Sequence, residues 1–191
     1  MEDFKEFTKG YFKKLESQFE AAPFEDIENL ANGLLSAWKH KRQVFVFGNG
    51  GSAGNAIHLA NDFLYGIGSK TLPGLRVHAL PANSSVLTCL ANDEGYDSIF
   101  VEQLKVFAEP GDMILCFSGS GNSPNIVKAL NWCRDNNMDS YAILGYQGGQ
   151  SKNIAKNVIH FNIDDMQISE DFQLIVGHVL MQWMCNNRTD K

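Results

Sequence analysis

The sequence of 191 residues is poor in the features that mark several large classes of protein. It contains 4 cysteines. They are widely spaced without a CxxC pair, which argues against a disulfide framework or a zinc ribbon and favours buried free thiols in a cytoplasmic protein. No apolar run reaches the ~20 residues that a membrane span requires, and the start lacks the basic-then-apolar pattern of a signal peptide. The 16 basic residues are outnumbered by 22 acidic ones, for a net charge of −6. With no basic block either, neither nucleic acid nor an anionic membrane surface is an expected partner.

The sequence has 44% hydrophobic and 20% charged residues, which is the composition of a folded globular protein. Residues 1–40 predict two amphipathic helices, because apolar residues recur there at spacings of three and four. The apolar stripe of the first helix is rich in aromatics. This helix is predicted to end near Pro23, and the apolar stripe of the second runs from Ile27 to Trp38. Either stripe could pack on its own domain. The aromatics from Phe4 to Phe19 favour a second subunit instead, so residues 1–40 are expected to be an extension that makes oligomer contacts.

Beyond residue 40 the periodicity changes, and short apolar strands alternate with helices. Five strands are predicted, at 44–47, 77–80, 113–117, 141–144 and 158–161. Helices are predicted from the loop 48–52 after the first strand to about 64, near 84–92, at 99–107, after Ser123 and at about 168–183. Such alternation is typical of an α/β domain with a mostly parallel five-stranded sheet flanked by helices, here assigned to residues 41–191.

Two loops rich in glycine and serine each follow a buried strand and open a helix. They are 48–52 (GNGGS) and 118–123 (SGSGNS). The free N–H groups and the positive dipole end of a helix start favour an anion, and glycines let a ligand come close to the backbone. Because such loops at the carboxyl ends of parallel strands line the ligand crevice of an open sheet, two of them favour a binding site over plain turns.

The class of anion follows from what the loops contain. The first loop matches a loose GxGxxA dinucleotide fingerprint, but no acidic residue follows the next strand to hold a ribose, and the Walker GK[ST] pattern does not occur. The second loop offers three hydroxyls, from Ser118, Ser120 and Ser123. Three hydroxyls suit a terminal phosphate monoester better than a pyrophosphate, so a small phosphorylated metabolite is the expected ligand.

Four polar residues on two helices are candidates for acid–base chemistry or metal binding. His58 and Asp62 are four apart and share a helix face, while Glu170 and His178, eight apart, share only a broad face of the last helix. Imidazoles and carboxylates serve both purposes. Simpler alternatives stay open: His58 and Asp62 as ordinary helix-surface side chains, and His178, which lies among apolar residues, as a core histidine.

Three segments resemble the signatures of sugar isomerase (SIS) domains of the phosphoheptose isomerase type: Phe47–Ser52 (FGNGGS), Leu90–Tyr96 (LANDEGY) and Phe117–Ser123 (FSGSGNS). The resemblance covers nearly the whole chain. It implies a flavodoxin-like α/β fold, a homotetramer with active sites between subunits, and a divalent metal, often zinc. It also implies an isomerase that converts sedoheptulose 7-phosphate to D-glycero-D-manno-heptose 7-phosphate, for bacterial surface glycans such as lipopolysaccharide or capsule.

The resemblance implies substrate contacts residue by residue. The phosphate contacts fall on the second loop, where the family usually has threonine in place of Gly119, so that one hydroxyl is missing. The sugar contacts fall on the first loop and on the second signature. Together the implied substrate-binding residues are Asn49, Gly50, Gly51, Ser52, Asn92, Asp93, Ser118, Gly119, Ser120, Ser123 and Glu170.

The resemblance also implies catalytic and metal-binding roles. Asp62 falls on the family's base, where a glutamate is usual, and His178 falls on its acid–base partner. The implied metal ligands are His58, Asp62, Glu170 and His178. Since Glu170 stands where the family has glutamine, this set has two imidazoles and two carboxylates, which tetrahedral zinc accepts.

The expected function is metal-dependent ketose–aldose isomerisation of a sugar phosphate. A base removes the proton next to the carbonyl, and an acid or the metal stabilises the enediolate. One alternative is a non-catalytic SIS module that binds a sugar phosphate, against which the polar character of the four candidate residues argues. The other is an isomerase or epimerase of a different sugar phosphate, which the departures at Gly119, Asp62 and Glu170 keep open.

Overall fold

A computed structural model of the protein describes residues 3–188 and contains one five-stranded sheet. Residues 1, 2 and 189–191, which end the two predicted regions, lie outside it. The strands are β1 (Gln43–Phe47), β2 (Arg76–Ala79), β3 (Met113–Ser118), β4 (Asp139–Leu144) and β5 (Asn157–His160). Their spatial order is β2-β1-β3-β4-β5, and every neighbouring pair is parallel. This is the flavodoxin-like order, so the predicted class is confirmed, with a sheet that is parallel throughout rather than mostly parallel.

The helices begin and end close to where the apolar periodicity predicts. They are α1 (Phe4–Glu20), α2 (Phe24–Lys39), α3 (Gly51–Asn61), α4 (Ser84–Asp93), α5 (Val101–Phe107), α6 (Pro124–Asp135), α7 (Ser151–Ile154) and α8 (Met166–Asn186). Helix α5 starts two residues later than expected. The short α7 is not predicted, because four residues carry no periodicity.

Helices cover both faces of the sheet, and side chains alternate along each strand. Val44 and Val46 of β1 lie in a core shared with α2, α3 and α8, whereas Phe45 and Phe47 lie in a core shared with α5 and α6. Because both faces are buried, central strands such as β1 are unbroken apolar runs in the sequence. The carboxyl ends of β1 and β3 are therefore held side by side, with a helix following each loop.

The two N-terminal helices differ in how much they bury. Helix α2 buries Leu30, Leu34 and Trp38 in the same core as the sheet, so its stripe packs on its own domain. Helix α1 has no buried residue and leaves Phe4 81% and Phe12 62% exposed. Tyr11 and Leu15 of α1 pack partly buried against that core, and the Phe19 ring lies 5.0 Å from the Phe172 ring. The part of α1 that is open to another subunit is therefore the one with Phe4 and Phe12. The division at residue 40 stays a prediction.

Polar contacts attach α1 to the start of α8. The Tyr11 hydroxyl donates a hydrogen bond to the Asp171 carboxylate, and Lys14 Nζ lies 2.8 Å from Asp165 Oδ2. Burial and the Asp171 carboxylate raise the pKa of Tyr11 from 10.0 to about 12. Lys14 lowers the pKa of Asp165, which is also the N-cap of α8. The exposed helix thus bears directly on the segment that carries Glu170.

The four cysteines, Cys89, Cys116, Cys133 and Cys185, are free. Cys116 and Cys133 are buried, but Cys89 is exposed, so the expectation of buried thiols is wrong for Cys89. Burial raises the pKa of Cys133 to about 12, which keeps that thiol protonated and unreactive. Within residues 3–188, no helix is both long enough and apolar enough to span a bilayer.

Candidate functional site

The two glycine–serine loops meet at the carboxyl ends of β1 and β3, which are neighbours in the sheet. A cavity of about 260 Å³ lies between these loops and the start of α8. Its lining residues are Asn49, Gly50, Gly51, Ser52, Phe117, Ser118, Gly119, Ser120, Ser123, Met166 and Glu170. The structure thus brings together the implied substrate contacts, with the exception of Asn92 and Asp93. Those two are exposed at the end of α4 and do not line the cavity.

The second loop presents hydroxyls whose protons remain available. Ser118 Oγ accepts a hydrogen bond from Gly121 N at 3.0 Å, and Ser120 Oγ accepts one from Asn122 N at 3.3 Å. A hydroxyl that accepts from the backbone can still donate its own proton. Ser123 is the N-cap of α6, yet its side chain makes no capping hydrogen bond. Three hydroxyls can therefore donate to an anion beside the positive end of α6.

The cavity has no cationic side chain, and its one charged lining residue is Glu170. An anion bound there would be held by neutral donors alone. Gly119 contributes only backbone atoms to the lining. A Cβ at that position would lie 2.5 Å from Met166 Sδ. The Met166 thioether, 36% exposed at the start of α8, thus occupies the space beside residue 119.

Glu170 lies against the first loop. A Cβ at Gly51 would lie 2.2 Å from Glu170 Oε2, so the carboxylate fills the space that a side chain at residue 51 would take. Asn55 Nδ2 donates to Glu170 O at 3.0 Å and to Gln173 Oε1 at 2.9 Å. Gln173, 1% exposed, donates in turn to Ser52 Oγ at 3.0 Å. This network holds the start of α3 beside the first turns of α8.

The side-chain amide of Asn49 forms hydrogen bonds within the protein. Its Nδ2 donates to Asn125 Oδ1 and its Oδ1 accepts from Asn125 Nδ2, both at 2.8 Å. The exposed Tyr96 hydroxyl donates to the same Asn49 oxygen at 3.2 Å. This reciprocal amide pair fastens the first loop to α6, which begins directly after the second loop.

A second cluster lies further along α3 and α8. His58 Nε2 is 2.9 Å from His178 Nε2, and Asp62 Oδ2 is 3.4 Å from His58 Nε2 and 3.7 Å from His178 Nε2. Asp62 opens a π-helical turn, Asp62–Gly66, that continues α3; such turns are frequent at functional sites. The His58 and His178 side chains are 50% and 46% exposed. His178 is therefore no core histidine, and this alternative is wrong.

Glu170 lies outside this cluster. Among the described residues, the group of metal-ligating side chains whose donor atoms lie within 4.8 Å of one another consists of His58, Asp62 and His178. Eight residues of α-helix separate Glu170 from His178 by ~12 Å, and helical side chains all lean toward the N-terminus. The fourth ligand implied by the resemblance is thus not brought to the metal position within one chain, and Glu170 lines the loop cavity instead.

The three remaining groups suit a zinc-type metal. Zinc–nitrogen and zinc–oxygen bonds of ~2.0–2.2 Å in a tetrahedron separate the donor atoms by ~3.3 Å. The three separations are 2.9, 3.4 and 3.7 Å. Two imidazoles and a carboxylate with a fourth position left for water or substrate is the ligand pattern of catalytic zinc.

Sequence reasoning missed four residues that shape the site: Met166, Asn125, Asn55 and Gln173. Each acts through a partner far away in the chain, such as Ser52 and Gln173, which are 121 residues apart. No local pattern marks them, since an amide or a thioether on a helix is usually surface or core.

Comparisons with known proteins agree with this fold. The model of the SIS domain family matches residues 9–145. A phosphoheptose isomerase of Clostridium acetobutylicum is 32% identical over 158 residues, which cover 82% of this chain and 79% of that protein. One of Akkermansia muciniphila is 34% identical over 157 residues and 82% of each chain. A solved structure of a phosphoheptose isomerase from Francisella tularensis covers 96% of both chains with a TM-score of 0.88 at 22% identity. The chain therefore belongs to the SIS domain family.

Proposed function

We propose that this protein is a metal-dependent isomerase that interconverts the ketose and aldose forms of a sugar phosphate. The substrate pair is sedoheptulose 7-phosphate and D-glycero-D-manno-heptose 7-phosphate, in keeping with its relatives' name, phosphoheptose isomerase. One observation carries the proposal. The same two helices, α3 and α8, hold an anion cavity at Gly51 and Glu170 and an imidazole–carboxylate cluster at His58 and His178.

The distance between the two sites suits a linear sugar phosphate. Seven residues of α3 separate Gly51 from His58, which is ~10.5 Å of helix. A phosphate held by Ser118, Ser120 and Ser123 leaves the far end of an extended sugar chain to reach the cluster. Binding energy from the phosphate then fixes the position of the carbonyl end.

The chain's own groups move the proton. Asp62 is the base: its Oδ2 faces the two imidazoles, while its Oδ1 has one long contact, 3.4 Å to Asn61 Nδ2. Oδ1 takes the proton from the carbon next to the carbonyl and returns it to the former carbonyl carbon, while the old carbonyl oxygen gains a proton and the neighbouring hydroxyl oxygen loses one. His178 is the acid–base partner for the substrate oxygens. A divalent cation held by His58, Asp62 and His178 would supply Lewis-acid polarisation of the carbonyl.

The hydroxyls of the sugar form hydrogen bonds with the first loop and with Glu170. Gly50 and Gly51 offer backbone groups, and the Glu170 carboxylate accepts hydrogen bonds from hydroxyls. Roles for Asn92 and Asp93 as sugar contacts stay predictions. Their side chains are engaged locally, with Asn92 Nδ2 donating to Asp93 Oδ1 at 2.7 Å.

The cytoplasmic homotetramer, with active sites between subunits, is part of the proposal. The cluster of His58, Asp62 and His178 lies on α3 and α8, which also carry exposed apolar side chains: Ile57 is 43%, Val179 55% and Trp183 36% exposed. Such a face next to a site is typical of a subunit interface. The free cysteines suit a reducing compartment.

The test is turnover of sedoheptulose 7-phosphate by the purified protein with zinc added, against the variants Asp62→Asn and Ser120→Ala. We expect Asp62→Asn to remove turnover, because an amide cannot act as the base. Ser120→Ala should raise KM more than it lowers kcat, by ~10-fold or more for one hydrogen bond to a charged oxygen. Binding of the sugar phosphate by zinc-loaded protein without turnover would contradict the proposal.

A further inference from the structure

A second cavity, of about 500 Å³, lies at the amino ends of β1 and β2. Its walls come from the last turn of α2, the turn that follows it, and segment 72–76, which leads into β2. Since the sheet is parallel, this edge is opposite the edge that holds the glycine–serine loops. The five residues of β1, ~3.3 Å each, lie between the two edges. We call this the basic cavity, for the reason given below; it shares no residue with the proposed active site.

The floor of the basic cavity is apolar and fixed. Leu35, Leu72 and Leu75 line it together with Trp38. The Trp38 indole, 9% exposed, donates a hydrogen bond from Nε1 to Pro73 O at 2.8 Å. This bond ties the two walls to each other, so the apolar surface is present before any ligand arrives.

The charged residues around this floor are all cations: Lys39, Lys41, Arg42 and Arg76. None of them forms an ion pair with a carboxylate of residues 3–188. The chain carries a net charge of −6. Four cations and no carboxylate therefore line one cavity of an acidic protein.

The two arginines are held in place and keep donors free. Arg42 Nη1 donates to Pro110 O at 3.3 Å, and Arg76 Nη1 donates to Lys41 O at 3.0 Å. Each guanidinium has five N–H donors, and these two hydrogen bonds use one of them in each. Arg42 also lines a neighbouring cavity with Gly111 and Asp139. Cations at the negative end of α2 would account for the two lysines. Neither Arg42 nor Arg76 is part of that helix, and both flank strands.

We propose that the basic cavity binds an aromatic organic anion: a flat apolar body that carries a phosphate, sulfonate or carboxylate group. The apolar floor takes the body, and the arginines take the anionic group, which guanidinium recognises through paired hydrogen bonds. Inorganic phosphate or a bare sugar phosphate would leave the floor facing water. Nucleoside monophosphates belong to the class that this combination selects.

The experiment is a fluorescence titration of the full-length protein with anilinonaphthalene sulfonate, an aromatic sulfonate whose emission rises in apolar surroundings. We expect one saturable site per chain. Affinity for the dye should fall ~10-fold or more in the double variant Arg42→Gln/Arg76→Gln, because each of the two substitutions removes a charge-assisted contact. Lys105→Gln, a cation exposed on α5, is the matched control and should bind the dye as wild type does. Lys39→Gln/Arg76→Gln serves as a second variant if the first unfolds, and should weaken the dye as well.

Adenosine monophosphate should displace the dye at lower concentration than inorganic phosphate, since only the nucleotide can use the floor. Equal displacement by the two would overturn the aromatic half of the proposal, and unchanged dye affinity in both arginine variants would overturn the anionic half. A drop in the oligomer's mass in either variant would identify the cavity as a contact between copies of this chain, which also overturns it. None of these outcomes depends on isomerase activity.

Discussion

Two glycines set how much room the substrate finds. At residue 51 the missing side chain leaves space that Glu170 fills, and at residue 119 it leaves space that Met166 fills. In each case a residue of α8 closes the loop cavity from the same side. The first turns of α8 therefore shape the loop cavity, although neither loop is near them in the sequence.

Gly119→Ala should raise KM for the sugar phosphate several-fold with a smaller effect on kcat. The new Cβ would meet Met166 Sδ at 2.5 Å and displace the thioether within the cavity. Adding Met166→Ala should restore KM, which steady-state kinetics of the two variants will measure. Gly54→Ala is the matched control: its Cβ meets nothing within 4 Å, so KM should stay the same. A KM that Met166→Ala fails to restore would contradict the role given to Met166.

His178→Ala should lose bound metal while the fold stays intact. The imidazole supplies one of three donor atoms, and two donors hold a divalent cation far more weakly than three. We expect metal content per chain to fall at least ~10-fold after dialysis, as measured by elemental analysis. His40→Ala changes an exposed histidine elsewhere and should keep the metal. Equal metal content in both variants would remove His178 from the ligand set.

At the level of residues, the sequence predicts those parts of the site that are local in the chain. Serines on one loop, or His58 and Asp62 one helical turn apart, are visible as patterns. Glu170 is not brought to the cluster within one chain, because ~12 Å of helix separates it from His178, and its role as a metal ligand stays a prediction. Met166 and Asn125 could not be found, since the contacts that matter, to Gly119 and Asn49, exist only after folding.

At the level of elements, α1 is attached to the rest of the chain by partly buried side chains and by polar contacts to the start of α8. It buries none of its residues, and its hydrogen bond from Tyr11 to Asp171 lies next to Glu170 in the chain. A helix with so little buried surface depends on such contacts more than on its own propensity. Changes at Tyr11 should therefore show first in the order of α1 and only then in the sheet.

Tyr11→Phe should speed amide hydrogen exchange in α1 and leave β1 and β3 unchanged. Tyr65→Phe, at a tyrosine that is 82% exposed, is the matched control. Because the folded pKa of Tyr11 is raised from 10.0 to about 12, its contribution is complete below about pH 10 and is lost as the pH rises through 12. Burial also raises the pKa of Tyr141 to about 12, so absorbance of the phenolate should show two tyrosines fewer titrating near pH 10 in the wild type than in unfolded protein, and one fewer in Tyr11→Phe. Identical exchange in both variants would contradict the attachment.

The elements themselves were predictable because their causes are local. Unbroken apolar runs predict β1 and β3 as strands buried on both faces, and spacings of three and four predict α1 and α2. The π-helical turn at Asp62–Gly66 and the start of α5 at Val101 were not, since a shift of one hydrogen bond leaves the apolar pattern unchanged.

At the level of the whole molecule, the exposed aromatic side chains of α1 and the exposed cluster of His58, Asp62 and His178 favour the proposed association with further copies of the chain. Light scattering should give a mass near four times 21.3 kDa. Phe4→Ser/Phe12→Ser should lower that mass, because it removes exposed apolar surface from α1. Val106→Ser, at a residue that is 77% exposed on α5, is the control and should leave it unchanged. A mass of one chain for the wild type would contradict the homotetramer.

The pairing of α3 with α8 also fixes when activity can arise during synthesis. His58 and His178 are 120 residues apart, and a ribosome adds ~5–20 residues per second. For about 10 s a growing chain thus contains the first loop and one imidazole with no partner to complete either site. The sheet can begin to form in that interval, but the cluster of His58, Asp62 and His178 cannot. The chemistry is the last property that the nascent polypeptide acquires, so a chain interrupted before α8 would fold in part and catalyse nothing.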